Sequence, residues 1–174
     1  MTSDAPTFAV RAVVFDLDGV LAETEHINVA SARHAFANAG LELPTDAESR
    51  IVGRHPVDYV PEFAREVGLP ASQIEPLLRF QDRRYRELWR TEVRPVEGAI
   101  EVVRSLAESG LRLAVATSAG AAHLDACLAR FGLDPAFEVR VSKDDVSRRK
   151  PDPEAYRTAL ERLAVPASSA LAVE

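Results

Sequence analysis

Cysteine and lysine are scarce in this 174-residue sequence. The single cysteine, Cys127, excludes an internal disulfide and any zinc site built from several cysteines. Lysine occurs only at positions 143 and 150, and the remaining 19 of the 21 basic residues are arginines. No apolar run approaches the ~18 residues of a membrane helix, and the N-terminus lacks the basic and apolar regions of a secretion signal. We therefore expect a cytoplasmic protein with no membrane partner.

Further absences narrow the function. The net charge of -6 argues against a nucleic-acid partner, since such proteins usually carry a basic face. Gly-x-Gly-x-x-Gly, the phosphate-loop pattern and His-Glu-x-x-His are all missing, so the common nucleotide and zinc fingerprints do not apply. With 47% hydrophobic residues the chain has material for a globular core. We expect a monomer whose partner is a small molecule.

Strands and helices are predicted to alternate along most of the chain. The predicted strands cover residues 11–16, 111–116, 137–141 and 170–173, and the last helix, residues 153–163, places Tyr156 on its apolar face. This alternation is typical of a parallel sheet covered by helices on both faces. Residues 25–92 are instead predicted to be entirely helical. The simplest fold is an α/β core of residues 1–24 and 93–174, with an all-helical cap of residues 25–92 inserted after the first strand.

Two carboxylates close the first apolar strand. Asp16 and Asp18 point to the same side of an extended chain, while Leu17 points to the other. Two like charges at the end of a buried strand repel each other and are costly to bury, so a positive or reactive ligand is expected between them. The alternative is a pair of turn residues before Gly19, because aspartate is common in turns.

Other chemically active residues follow the remaining strands: Thr117 and Ser118, Lys150, and Glu174. Ligands of open α/β sheets bind at these carboxyl ends. The set suits phosphoryl transfer assisted by Mg²⁺, which prefers oxygen ligands. Asp16 would attack phosphorus, Asp18 would act as general acid and base, and Lys150 would neutralise phosphoryl oxygens. Thr117 would donate its hydroxyl and amide groups, although helix capping is an alternative for Thr117 and Ser118.

Three segments resemble motifs one to three of the haloacid dehalogenase-like hydrolase superfamily. They are Phe-Asp-Leu-Asp-Gly-Val-Leu at 15–21, Val-Ala-Thr-Ser at 115–118, and Lys-Pro-Asp-Pro at 150–153. The helical insert is similar to that of the subgroup of phosphoglycolate phosphatases, sugar-phosphate phosphatases and β-phosphoglucomutases. The resemblance implies a Rossmann-like core and an aspartyl-phosphate intermediate. It also implies Mg²⁺ held by Asp16, Asp18 and Glu174, and a small phosphorylated metabolite as substrate.

Three cap positions bear on the choice between phosphatase and mutase. Mutase relatives carry a histidine twelve residues after the nucleophile, an arginine after a cap glycine, and a lysine in the longer cap helix. The corresponding residues here are Asn28, Arg54 and Gln81. The departures at Asn28 and Gln81 favour a phosphatase, and we take all three as candidate substrate residues.

Glu174 matches the first member of an acidic pair that forms the fourth motif of the superfamily. The resemblance implies a second carboxylate and about two further α/β units, so we expect an incomplete core that binds Mg²⁺ poorly and turns over slowly. An inactive fragment or non-catalytic binding module is the alternative from another functional class. A phospho-receiver domain also places Asp, Thr and Lys around Mg²⁺, but it has no helical cap after its first strand.

Overall fold

A parallel sheet organises the α/β unit of this protein, for which the computed structural model describes residues 9–174. This unit comprises residues 9–22 and Pro95–Glu174, and the second unit is Glu23–Arg94. The strands are β1 (Ala12–Phe15), β2 (Ala22–Glu23), β3 (Arg94–Pro95), β4 (Arg112–Ala116), β5 (Val139–Val141) and β6 (Ala170–Val173). The helices are α1 (Glu25–Asn38), α2 (Ala47–Ile51), α3 (Pro56–Glu66), α4 (Ile74–Glu92), α5 (Ala99–Glu108), α6 (Ala121–Phe131) and α7 (Glu154–Arg162).

The sheet has the order β5–β4–β1–β6, and all of its pairs are parallel. All four residues of β1 are buried, because the strand has a neighbour on each side and helices over the sheet. Ala12 lies opposite Arg112 on one side and Ala170 on the other. The last strand, β6, thus lies beside the first. The carboxyl ends of β1, β4 and β6 therefore meet at one edge.

Helices α6 and α7 supply apolar side chains to the α/β unit. One cluster joins the small residues Ala155 and Ala159 of α7 to Val14 and Ala114 of the sheet. Cys127 of α6 is fully buried and packs within the α/β unit. None of the helices in the described part of the chain is long and apolar enough to cross a membrane.

The second unit, Glu23–Arg94, contains α1 to α4. Its core gathers large side chains at its centre, including Phe36, Tyr59 and Phe63. Helix α3 begins at Pro56, with His55 as its N-cap. The structure adds the short helix α2, which the sequence pattern did not predict. The α/β fold with a parallel sheet and a helical insert is thus confirmed.

Candidate active site

A tight loop after β1 fixes both aspartates. The Asp16 amide donates to the carbonyl of Val173 at 2.9 Å, which ties the strand end to β6. Leu17 is fully buried, whereas the side chains of Asp16 and Asp18 remain partly exposed. Gly19 has φ +76°, a conformation that residues with a Cβ rarely adopt, and this bend turns the chain immediately after Asp18. The two carboxylates consequently share the edge where the strands end.

Lys150 lies at the centre of a hydrogen-bonded cluster. Its Nζ donates to Asp16 Oδ1 at 2.9 Å, to Glu174 Oε1 at 3.0 Å and to the Tyr156 hydroxyl at 3.0 Å. An ammonium has three donors, so all of them are used. Tyr156 also donates its own proton to Glu174 Oε1, and its ring centroid lies 4.6 Å from Nζ. The residues predicted to act together at this edge include three members of this cluster.

Tyr156 is a member of the cluster that sequence reasoning missed. The pattern of α7 placed Tyr156 among the residues of an apolar face, yet the hydroxyl reaches the polar edge of the sheet. A signal was present in the sequence, since tyrosine is the one residue of that face with a polar group at its tip. Tyr156 is also close to Lys150 in the sequence and lies in the first turn of the helix that follows it.

Burial and charge act against each other within this cluster. Burial raises the pKa of Asp16 above its usual range, although the Lys150 ammonium acts to lower that pKa. Burial acts to lower the pKa of Lys150, but its bonds to Tyr156, Asp16 and Glu174 outweigh that effect and raise the pKa overall. Burial, helped by Glu174, raises the pKa of Tyr156 to about 12. Lys150 therefore remains a cation and favours the anionic form of Asp16.

Thr117 and Ser118 follow β4, as predicted, at the same edge of the sheet. The Thr117 amide donates to the carbonyl of Val141 at 2.9 Å, so the expectation that this amide binds phosphate was wrong. Its place in the β4–β5 ladder consumes that donor. The Thr117 hydroxyl accepts from the Ala119 amide at 3.0 Å, which leaves its own proton to donate. Helix α6 is capped by Gly120 without a side-chain hydrogen bond, so neither hydroxyl caps that helix.

A small cleft joins the candidate phosphate-binding residues. Thr117, Ser118 and Lys150 all line it, which brings together the three residues predicted for this role. Lys143 and Arg149 also line it, and sequence reasoning missed both. The remaining lining is apolar, from Val146 and Ala155. A cleft with hydroxyl donors and cations suits a phosphoryl group.

The carboxylates at this edge of the sheet are suitable ligands for a hard cation, but they do not enclose one by themselves. Within residues 9–174, no three acidic, histidine or cysteine side chains gather in an arrangement that would hold a metal ion. Mg²⁺ needs only one or two protein carboxylates, because waters and substrate phosphates complete its octahedral shell. Oxygens of Asp16 and Glu174 already converge on one positive group, the Lys150 ammonium. The donor set therefore suits Mg²⁺, although it does not form a cage of protein side chains.

The cap candidates form a network of their own within the second unit. Asn28 Oδ1 accepts from the Tyr59 hydroxyl at 2.7 Å and from Gln81 Nε2 at 3.3 Å, and Gln81 Nε2 also donates to Tyr59. Asn28 Nδ2 donates to the Arg54 carbonyl at 3.3 Å. The Arg54 guanidinium pairs with Glu62 at 2.8 Å. Gln81 is 1% exposed, so it is internal to the unit, and Tyr59 is a central member that the sequence did not reveal.

Sequence comparison identifies the family to which this site belongs. Residues 13–174 match the haloacid dehalogenase-like hydrolase family. This chain belongs to the haloacid dehalogenase-like hydrolase family. The match covers the segments that contain Asp16, Thr117 and Lys150. The chain is therefore related to a family of hydrolases through almost its whole length, and the resemblance read from the motifs is confirmed.

Individual relatives of the haloacid dehalogenase-like family are named phosphatases or CbbY proteins. The chain is 32% identical over 176 residues to protein CbbY of Rhodobacter capsulatus, covering 95% of this chain and 77% of that protein. It is 35% identical over 142 residues to the phosphoglycolate phosphatase of Agrobacterium fabrum, covering 80% of this chain and 61% of that protein. A solved structure of a CbbY mutant from Rhodobacter sphaeroides with xylulose-(1,5)bisphosphate is similar, with a TM-score of 0.74, 28% identity, and 94% and 76% of the two chains covered.

Proposed function

We propose that this chain is a Mg²⁺-dependent phosphatase that hydrolyses a small phosphate monoester through an aspartyl-phosphate intermediate. Relatives named for phosphoglycolate, and one solved with a sugar bisphosphate, support a substrate of sugar-phosphate or phosphoglycolate type. The observation that carries the proposal is the contact of Asp16 with Lys150, 2.9 Å apart, at the edge that also holds Asp18 and Thr117.

Asp16 has the position of a nucleophile. Its carboxylate attacks phosphorus while the bond from phosphorus to the ester oxygen breaks, and the phosphoryl group is transferred to Asp16. Asp18 gives a proton to the departing ester oxygen. In the second half of the reaction Asp18 takes a proton from water, whose oxygen attacks phosphorus and releases Asp16 and inorganic phosphate. Asp18 loses a proton in the first half and regains one in the second, so the two halves together return both aspartates to their starting protonation.

Lys150 and the hydroxyls of the cleft bind the phosphoryl group. Lys150 is a permanent cation at the cleft, and the Thr117 and Ser118 hydroxyls are donors beside it. Such groups stabilise the charge that spreads over the equatorial oxygens in the transition state. We propose that Asp16, Asp18 and Glu174, with waters completing the shell, would hold Mg²⁺, which would supply further positive charge at this edge.

The helical unit supplies the candidates for substrate choice. Asn28 and Arg54 are partly exposed, so we propose that they contact the rest of the ester. Gln81 is buried and bonded to Asn28, so we propose that it acts by orienting that amide. The loss of the histidine and lysine found at two of these positions in mutases favours hydrolysis over isomerisation.

The proposal is tested by following phosphate release from p-nitrophenyl phosphate and from a panel of sugar phosphates with added Mg²⁺. We expect hydrolysis that Asp16→Asn abolishes. Asp18→Asn should release a burst of p-nitrophenol and then stall, because this acidic leaving group needs little protonation but the intermediate still needs a base. General acid–base groups typically contribute about 10²- to 10⁴-fold to the rate.

Two results would contradict the proposal. Release of phosphate that survives Asp16→Asn would exclude this aspartate as nucleophile. Interconversion of a sugar phosphate without net phosphate release would instead indicate a mutase. Slow turnover does not affect the test, because each variant is compared with the unaltered chain.

A further inference from the structure

The cleft beside Lys150 carries more positive charge than a single phosphoryl site accounts for. Three of its lining residues are cationic, namely Lys143, Arg149 and Lys150, and none is acidic. Lys150 is paired with Asp16 and Glu174, so the protein itself balances its charge. The two remaining cations have no such explanation.

Every carboxylate of residues 143–154 already has a partner, and no such partner is Lys143 or Arg149. The pairs are Asp144 with the amide of Ala121 (2.9 Å), Asp145 with Arg162 (2.8 Å), and Asp152 and Glu154 with Arg148 (2.9 and 3.2 Å). Throughout residues 9–174, neither Lys143 nor Arg149 takes part in an ion pair. Their charges are thus left facing the cleft.

Lys143 is held against the loop that carries the phosphate-binding hydroxyls. Its amide donates to the carbonyl of Ala119 at 2.9 Å. Its side chain passes over Gly120, where an added Cβ would come within 3.4 Å of the Lys143 Cε. Gly120 has an ordinary negative φ of -74°, and an added Cβ there would make only ordinary contacts with Lys143 and Asp144, so Lys143 lies close to this loop without requiring glycine at position 120. The backbone therefore places this lysine beside Thr117 and Ser118.

We propose that Lys143 and Arg149 bind a second anionic group of the substrate, a carboxylate or a second phosphate. This inference rests on the proposed phosphatase function and specifies its substrate class: esters that carry another negative charge near the transferred phosphoryl group. A guanidinium recognises carboxylate and phosphate oxygens with paired donors, and the ammonium adds a point charge. A phosphate ester of an uncharged alcohol would leave Lys143 and Arg149 without an anionic partner.

Two pairs of esters test the proposal. 2-Phosphoglycolate and 2-hydroxyethyl phosphate differ in a carboxylate, and fructose 1,6-bisphosphate and fructose 6-phosphate differ in a phosphate, so the pairs separate the two sources of charge. We expect the chain to favour the doubly anionic member of at least one pair in kcat/KM. The double variant Lys143→Gln with Arg149→Gln should lower kcat/KM for that member by at least about tenfold, mainly through KM, because the loss of even one charged hydrogen bond corresponds to about tenfold.

Arg157→Gln is the control for loss of a positive charge, because it removes one from an exposed position of α7 outside the cleft lining. It should change none of these values, and the double variant should lower kcat/KM for the doubly anionic ester more than for its singly anionic partner. Equal losses for both members of each pair, or no loss at all, would overturn the second anionic site.

A binding measurement separates this inference from the proposed phosphatase function. If no ester, including p-nitrophenyl phosphate, releases phosphate, the proposed function fails. The same four esters are then titrated by calorimetry. Tighter binding of the doubly anionic members that is lost with Lys143→Gln and Arg149→Gln would support the site, and equal affinities within each pair would refute it.

Discussion

Among the three acceptors that surround the Lys150 ammonium, Tyr156 is the uncharged one. Asp16 and Glu174 balance the charge of Lys150, whereas the phenol contributes one accepted hydrogen bond and a ring face 4.6 Å away. The hydroxyl also donates to Glu174, so it joins two of the groups around the lysine. We infer that Tyr156 positions Lys150 without touching the phosphoryl group.

Tyr156→Phe should lower kcat/KM for p-nitrophenyl phosphate by about tenfold, because Lys150 loses one charged hydrogen bond. The ring remains in this variant, so the cation–π contact is kept. Tyr156→Leu removes both contacts and should lower kcat/KM further, by a factor consistent with about 0.5–1 kcal/mol for an exposed cation–π pair. Steady-state kinetics and the inhibition constant of inorganic phosphate measure both effects.

The comparison of Tyr156→Phe with Tyr156→Leu provides the control. A purely structural role would lower the melting temperature in both variants while leaving the inhibition constant of phosphate unchanged. Full activity of Tyr156→Phe would show that the hydroxyl does not position Lys150.

At the scale of elements, the turn after β5 is important because it fixes the backbone of Lys143. Ser142 and Asp145 form a reciprocal cap: the Asp145 carboxylate accepts from the amide and hydroxyl of Ser142 at 2.9 and 2.8 Å. Arg162 of α7 donates to the other Asp145 oxygen at 2.8 Å. The backbone bond from Ser142, followed by Arg162, holds the pKa of Asp145 below its usual value.

Asp145→Ala should reduce the free energy of unfolding at neutral pH by about 1 kcal/mol, a typical value for a lost cap. A carboxyl whose pKa is lowered by folding stabilises the protein above its unfolded pKa, about 3.9. That contribution disappears as the pH falls through the lower, folded pKa. The difference between the two proteins should therefore shrink below about pH 4, as measured by urea denaturation across pH.

Asp125→Ala serves as the comparison for this prediction. Asp125 pairs with Arg140 at 3.0 Å on the surface, where ion pairs contribute little. It should change stability only slightly. A difference between unaltered protein and Asp145→Ala that is constant with pH would contradict the role assigned to the Asp145 charge.

The sequence was sufficient to predict the sheet and the residues at its edge, but it did not predict some of their neighbours. Asp16 and Thr117 could be predicted because each directly follows an apolar strand, and parallel strands bring such ends together. Lys150 could be predicted because it opens the motif Lys-Pro-Asp-Pro. Tyr156 was missed because a tyrosine satisfies the apolar helix pattern while its hydroxyl reaches the polar edge of the sheet. Lys143 was missed because its place depends on the Ser142 cap, which no periodicity reveals.

The short helix α2 and the cap network escaped prediction for related reasons. Helix α2 has five residues, of which Ala47 and Ile51 are buried, too few to establish a helical period. Gln81 is a candidate substrate residue in the sequence analysis, yet packing encloses it, and its amide donates to Tyr59 and Asn28. Burial of a polar side chain depends on partners that are distant in sequence.

At the scale of the whole molecule, anion binding should increase the free energy of unfolding. The chain has a net charge of -6, but the cleft that Lys150 lines is locally positive. A ligand that binds the folded state alone stabilises that state by mass action. Binding of phosphate at this cleft would therefore raise the free energy of unfolding of the α/β unit.

Inorganic phosphate with Mg²⁺, at about one hundred times its dissociation constant, should stabilise the protein by about 2.7 kcal/mol. The melting temperature should rise by several degrees, at roughly 2–4 °C per kcal/mol for a chain of this size. Lys150→Gln should abolish most of the rise in a thermal-shift measurement, whereas Arg157→Gln should retain it.

Sodium chloride at the same ionic strength is the control for screening. A similar rise in sodium chloride, or a full rise in Lys150→Gln, would show that phosphate does not bind specifically at this cleft. Each variant is compared with its own melting temperature without phosphate, because Lys150→Gln also leaves Asp16 and Glu174 without their partner.

The pairing of β1 with both β4 and β6 sets the order in which this chain can fold. Strand β1 gains its second neighbour only when Ala12 pairs with Ala170, and these two residues are far apart in the sequence. The contacts within Glu23–Arg94 involve only a continuous stretch of chain and require far shorter loop closures. During synthesis the helical insert can therefore collapse while β1 is still half-paired. The aspartates of the proposed chemistry would then reach their final surroundings only after the helical insert has formed.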